Sequence, residues 1–362
     1  MNIARICRLV GPLALLFGLV GTAEAGADGL RYRYVSLDNL PLPDGFAGSF
    51  LLSTIADDDR VYGNLCQDSG LCYAAVVDKG AVTILQPHQA GTLVFGLAAV
   101  GKGGVLGGAV SDLADPTVGR AAILREGKLE LIPGLPEAPY SFVAAFTDTS
   151  AFVDSLGNTG ESFFFLERDK LVPLDLSQIV SPFFLHVNRK GIVAGTMGSL
   201  FQNARAFRLD PRTGKVTQLD PLSTEPLSWG LGINARGDVL GYSFVTSATE
   251  RIGIWDREGR FQTYFVEGTP EVPTVSNQLL FNDQNLIAIT QTTDGNSYVV
   301  PEPGVRVNLS DVTDELPTTS FPLSNVQSMN RRGSLAGFGF SGNQFLLQRI
   351  DGNAHCDEED DR

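Results

Sequence analysis

Apolar and polar residues alternate in short runs along this chain, and the runs stop at a recurring corner. The clearest corner is Ile233-Asn234-Ala235-Arg236-Gly237-Asp238-Val239-Leu240-Gly241: an apolar residue, Asn, two free positions, Gly, one free position, Val or Leu, one free position, Gly. Two more copies are nearly perfect, one running from Val187-Asn188 through Gly191 to Gly195, the other from Met329-Asn330 through Gly333 to Gly337. Strand-like segments flanking such a stretch predict a β-hairpin corner. Asn opens the turn, and Gly takes the left-handed position that closes a type I turn with a bulge. Asn188, Gly191, Asn234, Gly237, Asn282, Asn330 and Gly333 are therefore read as turn residues, not ligand contacts.

Degenerate copies fill the gaps once the closing residue serves as the ruler. Residues 55–63 carry Asp59 where the turn Gly is expected, and 99–107 keep Gly103. Residues 281–289 keep Asn282 and place Asn285 at the left-handed position, which Asn tolerates better than most residues. The weakest copy is 145–153. Closing positions 63, 107, 153, 195, 241, 289 and 337 recur every 42 to 48 residues, a period that marks a repeat architecture.

Each repeat has a second half, a strand, a Gly-centred turn and another strand, as in Ala121-Ala122-Ile123-Leu124, Arg125-Glu126-Gly127-Lys128 and Leu129-Glu130-Leu131-Ile132. Four strands in about 46 residues, repeated radially, is the arithmetic of a β-propeller blade. The predicted fold is an all-β, seven-bladed β-propeller of four-stranded antiparallel blades. The last repeat ends after its third strand, at 345–348, and an unassigned strand at 30–37 precedes the first corner. The N-terminal strand is expected to complete the last blade and close the ring.

Residues 1–25 read as an export leader: Arg5 and Arg8, an apolar run at 9–20 broken by Gly11, Pro12 and Gly18, then Ala23-Glu24-Ala25 as a cleavage site. The run is too short for a membrane anchor, which needs about 18 apolar residues or more. A secreted or periplasmic protein, cleaved near Ala25, is expected, with residues 26–352 as one propeller domain and 353–362 as a disordered acidic tail.

Lys+Arg 27 against Asp+Glu 41 gives a net charge of -14, and loss of Arg5, Arg8 and Glu24 leaves 25 against 40, or -15. That surface repels phosphate backbones and anionic lipids, so no nucleic acid and no membrane insertion after cleavage are expected, and a monomer is the simplest state. In an oxidising compartment Cys66 and Cys72, flanking a short loop between strands, are expected to form a disulfide. Cys356, within the acidic tail, has no evident partner.

The chain resembles the bacterial extracellular HAF-repeat proteins, whose repeat couples an Ile-Asn-x-x-Gly-x-Val-x-Gly corner to a downstream apolar-Trp-x-x-x-Gly strand and turn. Residues 233–241 followed by Ile254-Trp255-Asp256-Arg257-Glu258-Gly259 are the closest copy, and the likeness covers about 45–350. The resemblance implies secretion and a propeller-like array; it transfers no catalytic residues.

No catalytic, cofactor or metal motif stands out. The three His, at 88, 186 and 355, share no ligand spacing, and no nucleophile elbow, phosphate loop or dinucleotide fingerprint occurs. Asp57-Asp58-Asp59 occupy a turn, where acidic residues are ordinary. In a propeller the corners lie on one face and the longer, Pro-rich loops on the other, around the channel mouth, where function tends to sit. Phe95, Phe183 and Trp229, each 12 residues before a closing position, are candidates for an aromatic rim there, with blade-wedge packing as the plainer explanation. Asp112, Asp115, Arg120, His186, Arg205 and Arg251 are the polar candidates on the same face. The expected function is a non-catalytic binding or assembly module for an extracellular glycan, peptide or protein; the alternative is a lyase or hydrolase acting on glycans or small esters.

Overall fold

The computed structural model describes residues 29–44, 46–68, 71–85, 93–112, 115–135, 139–157, 160–199, 202–244, 250–267, 279–290, 296–317, 323–339 and 342–350. The expected leader and acidic tail, with His88, His355 and Cys356, lie outside the described residues.

The architecture is all-β. β1 (Tyr32–Ser36) comes first. β2–β5 (Gly48–Ile55, Val61–Gln67, Cys72–Asp78, Ala81–Ile84) form an antiparallel sheet in chain order. β6–β9 (Leu93–Val100, Leu106–Asp112, Asp115–Arg125, Lys128–Leu131) and β10–β13 (Tyr140–Phe146, Ala151–Gly157, Gly160–Glu167, Lys170–Pro173) are two further antiparallel runs, joined by a parallel bridge from Tyr140 to Gly119. β14–β17 (Phe183–Val187, Val193–Met197, Arg205–Asp210, Lys215–Leu219), β18–β21 (Leu227–Ile233, Val239–Phe244, Glu250–Trp255, Phe261–Glu267) and β22–β25 (Leu279–Phe281, Ile287–Ile289, Tyr298–Glu302, Val305–Asn308) are separate four-stranded sheets. β26 (Thr313–Asp314) is a two-residue edge. β27–β29 (Asn325–Met329, Leu335–Phe338, Gln344–Arg349) make three strands of the last sheet. Its fourth is β1, antiparallel to β29 from Tyr32 opposite Arg349 to Ser36 opposite Phe345.

The corners explain the motif. Gly237 and Gly333 have φ of 87° and 86°, while Asp59 and Asn285 hold the same left-handed position at 63° and 64°. The weak copy is a different turn: four residues separate Phe146 from its partner Ala151, where five separate Ile233 from Val239. With one residue fewer, no left-handed position is needed there. The final Gly has another cause. Before the corner, β2, β6, β10, β14, β18 and β27 each carry a register shift, which lifts their backbone toward the next strand. A Cβ at Gly241 would overlap the Trp229 carbonyl oxygen.

The core is divided into wedges, each shared by consecutive repeats. Tyr62 and Val76 pack with Phe95 and Leu106; Ala121 and Ile123 with Val143 and Phe164; Phe152 and Phe163 with Val193 and Phe207. Ala194 and Ala206 meet Val239 and Trp255, and Trp229 and Tyr242 share a cluster with Leu279 and Ile287. Ala288 and Val299 pack with Tyr32 and Phe345, and finally Ala336 and Leu346 with Phe50 and Leu52. The Cys66–Cys72 disulfide is formed, between residues directly opposite each other on β3 and β4. Among the described residues, no helix is long and apolar enough to cross a membrane.

Candidate functional site

The corners converge. A cavity of about 600 Å³ is lined by residues from each corner read in the sequence, among them Ile55, Val100, Phe146, Val187, Ile233, Asp283 and Met329. Four of these seven, Ile55, Val187, Ile233 and Met329, are the apolar residues that open their corners, and Val100 and Phe146 stand one position further on in theirs, so the six form an apolar wall. Asp57, Asp58, Arg60, Lys102, Asp148, Arg189, Asp283 and Arg331 add four carboxylates and four cations.

Most of that charge is engaged. Arg331 pairs with Asp57 and Arg60 with Asp58, while Asp283 Oδ1 accepts from the Ala235 backbone N–H at 2.6 Å. Asp59 Oδ1 and Oδ2 accept from Asn330 Nδ2 and Gln348 Nε2, so the Asp57-Asp58-Asp59 run is held by cations and amide donors of its turn and its neighbour.

Each corner Asn has two jobs. The Oδ1 of Asn188 accepts from the N–H groups of Lys190 and Ile192, and its Nδ2 donates to the Asn234 carbonyl at 2.7 Å. Asn234 repeats the turn bonds and reaches Asn285; Asn282 reaches the Arg331 carbonyl; Asn330 reaches the Ala56 carbonyl, 274 residues away. In the weak corner Thr147 Oγ1 accepts the turn N–H groups, and the Asp148 N–H donates to the Arg189 carbonyl. Hydrogen bonds therefore run from the corner at 147 to that at 188, then 234, 282, 330 and back to 56.

The aromatic rim expected from sequence is corrected. Phe95 is fully buried and Trp229 is 2% exposed, both inside wedges, and Phe183 is half-buried against the Trp229 cluster. Their spacing reflects core packing, because each lies on the first strand of its four, β6, β14 or β18, and packs against neighbouring strands. Arg251 is engaged within the fold: its Nε donates to Glu225 Oε1 at 2.6 Å, and that buried carboxylate also accepts from Ser243. Arg205 donates to the carbonyls of Ala204 and Pro226. Both arginines pin the 220–226 loop. Glu225 carried no signal in sequence, since a loop glutamate is ordinarily solvated. Asp112, Asp115 and Arg120 are exposed on β7 and β8, away from the cavity; Asp115 accepts from Thr117.

His186 sits on β14 immediately before the cavity-lining Val187. Its counterparts nine positions before the other closing residues are Thr54, Ala98, Ala144, Gly232, Leu280 and Ser328, none of them fully buried. The imidazole is open to water yet surrounded by protein, so its loss of bulk solvent, which lowers its pKa to about 4, is only partial. Beside β14 the β11 residue Asp154 behaves oppositely. Burial, then repulsion from Glu161, raises its pKa to about 6, and its Oδ1 is buried with no hydrogen-bond partner.

No protein-family model and no curated protein sequence matches the chain. Solved structures do. A streptogramin B lyase structure is similar at 14% identity and a TM-score of 0.51, with 88% of this chain and 98% of that one covered. A prolyl endopeptidase structure is similar at 11% and 0.52, covering 89% of this chain and 50% of that chain. Virginiamycin B lyase from Staphylococcus aureus with quinupristin follows at 11% and 0.48, covering 89% and 100%. These are β-propeller proteins, and at such identities the likeness bears on fold alone.

Proposed function

We propose that this chain is a closed seven-bladed β-propeller of the HAF-repeat type, exported after cleavage near Ala25, that acts as a non-catalytic binding or assembly module. The carrying observation is the cavity into which every corner converges, with an apolar wall and a charged rim. Its volume lies within the range of about 300–1,000 Å³ that ligand sites occupy. The ring is supported by β1 completing the last sheet, by wedges shared between consecutive repeats and by the corner hydrogen bonds that return from Asn330 to Ala56. Export is supported by the leader pattern and by the Cys66–Cys72 disulfide, which persists in oxidising compartments.

The ligand classes are an extracellular glycan, a peptide or a protein segment. We place the contact at the corner end, where the cavity is, and not on the longer loops. The alternative, a lyase or hydrolase, draws on the displaced pKa values of His186 and Asp154 on neighbouring repeats. One experiment separates the two: incubate the folded protein with glycan and peptide arrays, and in parallel with chromogenic glycosides and esters. Retention that Val187→Asp abolishes, with no turnover, is the expected result. Turnover lost in His186→Gln would replace the binding reading with the enzymatic one.

A further inference from the structure

We infer that the corner cavity takes a carboxylate carried on an apolar body, and that Arg189 is the residue that holds it. This deepens the binding reading and rests on it. Arg189 differs from the other cations of the rim. Arg331 and Arg60 each face an aspartate within ion-pair distance, and Lys102 is also engaged. The guanidinium of Arg189 has no described carboxylate partner, and its Nε is buried with no hydrogen-bond partner among the described residues. A buried N–H of a cation left unmade is costly, and proteins ordinarily satisfy it. That Nε is closed off from water, whereas the terminal nitrogens of the fork are not buried and have no described partner, and the side chain lines a cavity large enough to admit a ligand that meets them.

The chemistry of that ligand follows from the surroundings. A guanidinium offers a planar fork of donors that matches a carboxylate in a bidentate pair. The same cavity is lined by Phe146, Val187 and Ile233, which favour an apolar group and disfavour a second charge. The rim aspartates bar a multiply charged anion: Asp148 is on the adjoining corner, and its backbone N–H donates to the Arg189 carbonyl at 2.6 Å. A single negative charge with an apolar body is what this balance accepts. A polypeptide C-terminus ending in apolar residues and a free aliphatic acid share that chemistry.

The test uses the full exported protein and isothermal titration with three probes: N-acetyl-Leu-Phe as its free acid, the same dipeptide as its C-terminal amide, and octanoate. The acid is expected to bind at least ten-fold more tightly than the amide. Arg189→Gln, which removes no described side-chain bond, should erase that difference, and Arg189→Lys should restore part of it. Asp148→Asn should tighten the acid and leave the amide unchanged, an effect that a merely steric role would not give. Octanoate binding as tightly as the dipeptide acid assigns the site to free acids; weaker octanoate binding assigns it to peptide ends. Acid and amide bound equally, and both lost in Val187→Asp, would overturn the carboxylate inference while leaving the binding reading intact. If neither the dipeptide acid nor octanoate binds, the inference is wrong, and the arrays then decide the broader reading alone.

Discussion

Asp154 and His186 lie on neighbouring repeats and titrate in opposite senses, which gives a prediction with two arms. Folded Asp154 holds a proton up to about pH 6, and the unfolded side chain only to about 3.9, so between those values the native state binds more protons. Its contribution makes the protein more stable as pH falls from 7 toward 4. His186 does the reverse: the unfolded imidazole charges below about 6.5 and the folded one, partly shielded from water, at lower pH, so stability falls on acidification below about 6.5, by less than a fully buried imidazole would give. Asp154→Asn should stabilise at pH 7, by on the order of 1 kcal/mol once the shift is discounted for the solvent-facing part of the side chain. The gain should vanish by about pH 4. His186→Gln should change nothing at pH 7 and protect increasingly toward pH 4.5. Urea unfolding of both variants across this range checks each arm, and two differences that ignore pH would refute both assignments.

At the scale of the corner, the asparagine links turn chemistry to contact between repeats. Asn188→Asp keeps the acceptor for the Lys190 and Ile192 N–H groups, but it replaces the Nδ2 donor to the Asn234 carbonyl with an oxygen and buries a charge there. Asn188→Ala loses all three. Chemical denaturation at pH 7 should show a cost of about 2–4 kcal/mol for the alanine and at least as much for the aspartate, whose buried charge faces a carbonyl oxygen. An aspartate variant as stable as wild type would mean the inter-repeat bond contributes nothing. The turn half of this was legible in sequence, because Asn, Gly and their spacing report local backbone geometry that a linear pattern records. The clasp was not, since its acceptor lies 46 residues on and is a main-chain carbonyl with no residue signature. The same limit explains the aromatic rim. Phe95 and Trp229 lie on the first strands of their runs, but whether such a side chain faces solvent or a neighbouring sheet depends on the twist and register shift of the strand. Arg189 and Asp283 escaped notice for a related reason: each occupies a free position of the motif, and only the convergence of corners gives that position a meaning.

For the whole molecule, what matters is whether the ends are tied. β1 contributes a complete strand to the sheet of β27–β29, Leu37 N–H donates to the Gln344 carbonyl at 2.9 Å, and Ile350 N–H donates to the Arg31 carbonyl at 3.0 Å. Tyr32 is fully buried there with Phe345 and Leu347. An open array of repeats frays from its terminal units, whereas a ring closed by a strand more than 300 residues away in sequence loses its ends last. Removing residues 1–37 should expose the edge of β29 and the apolar surface beneath Tyr32, giving lost cooperativity and association through the bare strand. Tyr32→Asp is the milder version, an unpaired charge in a wedge, and should cost about 3 kcal/mol or more. Removing residues 353–362, charged and outside the described residues, should leave the unfolding curve where it was. Hydrogen exchange supplies the direct measurement. In the intact chain the β1 and β29 amides should exchange only with global unfolding, at the same free energy as β18–β21 in the middle of the sequence. Terminal amides that exchange faster than the central ones by several orders of magnitude, together with a truncated chain that stays monomeric and melts normally, would make the architecture an open array.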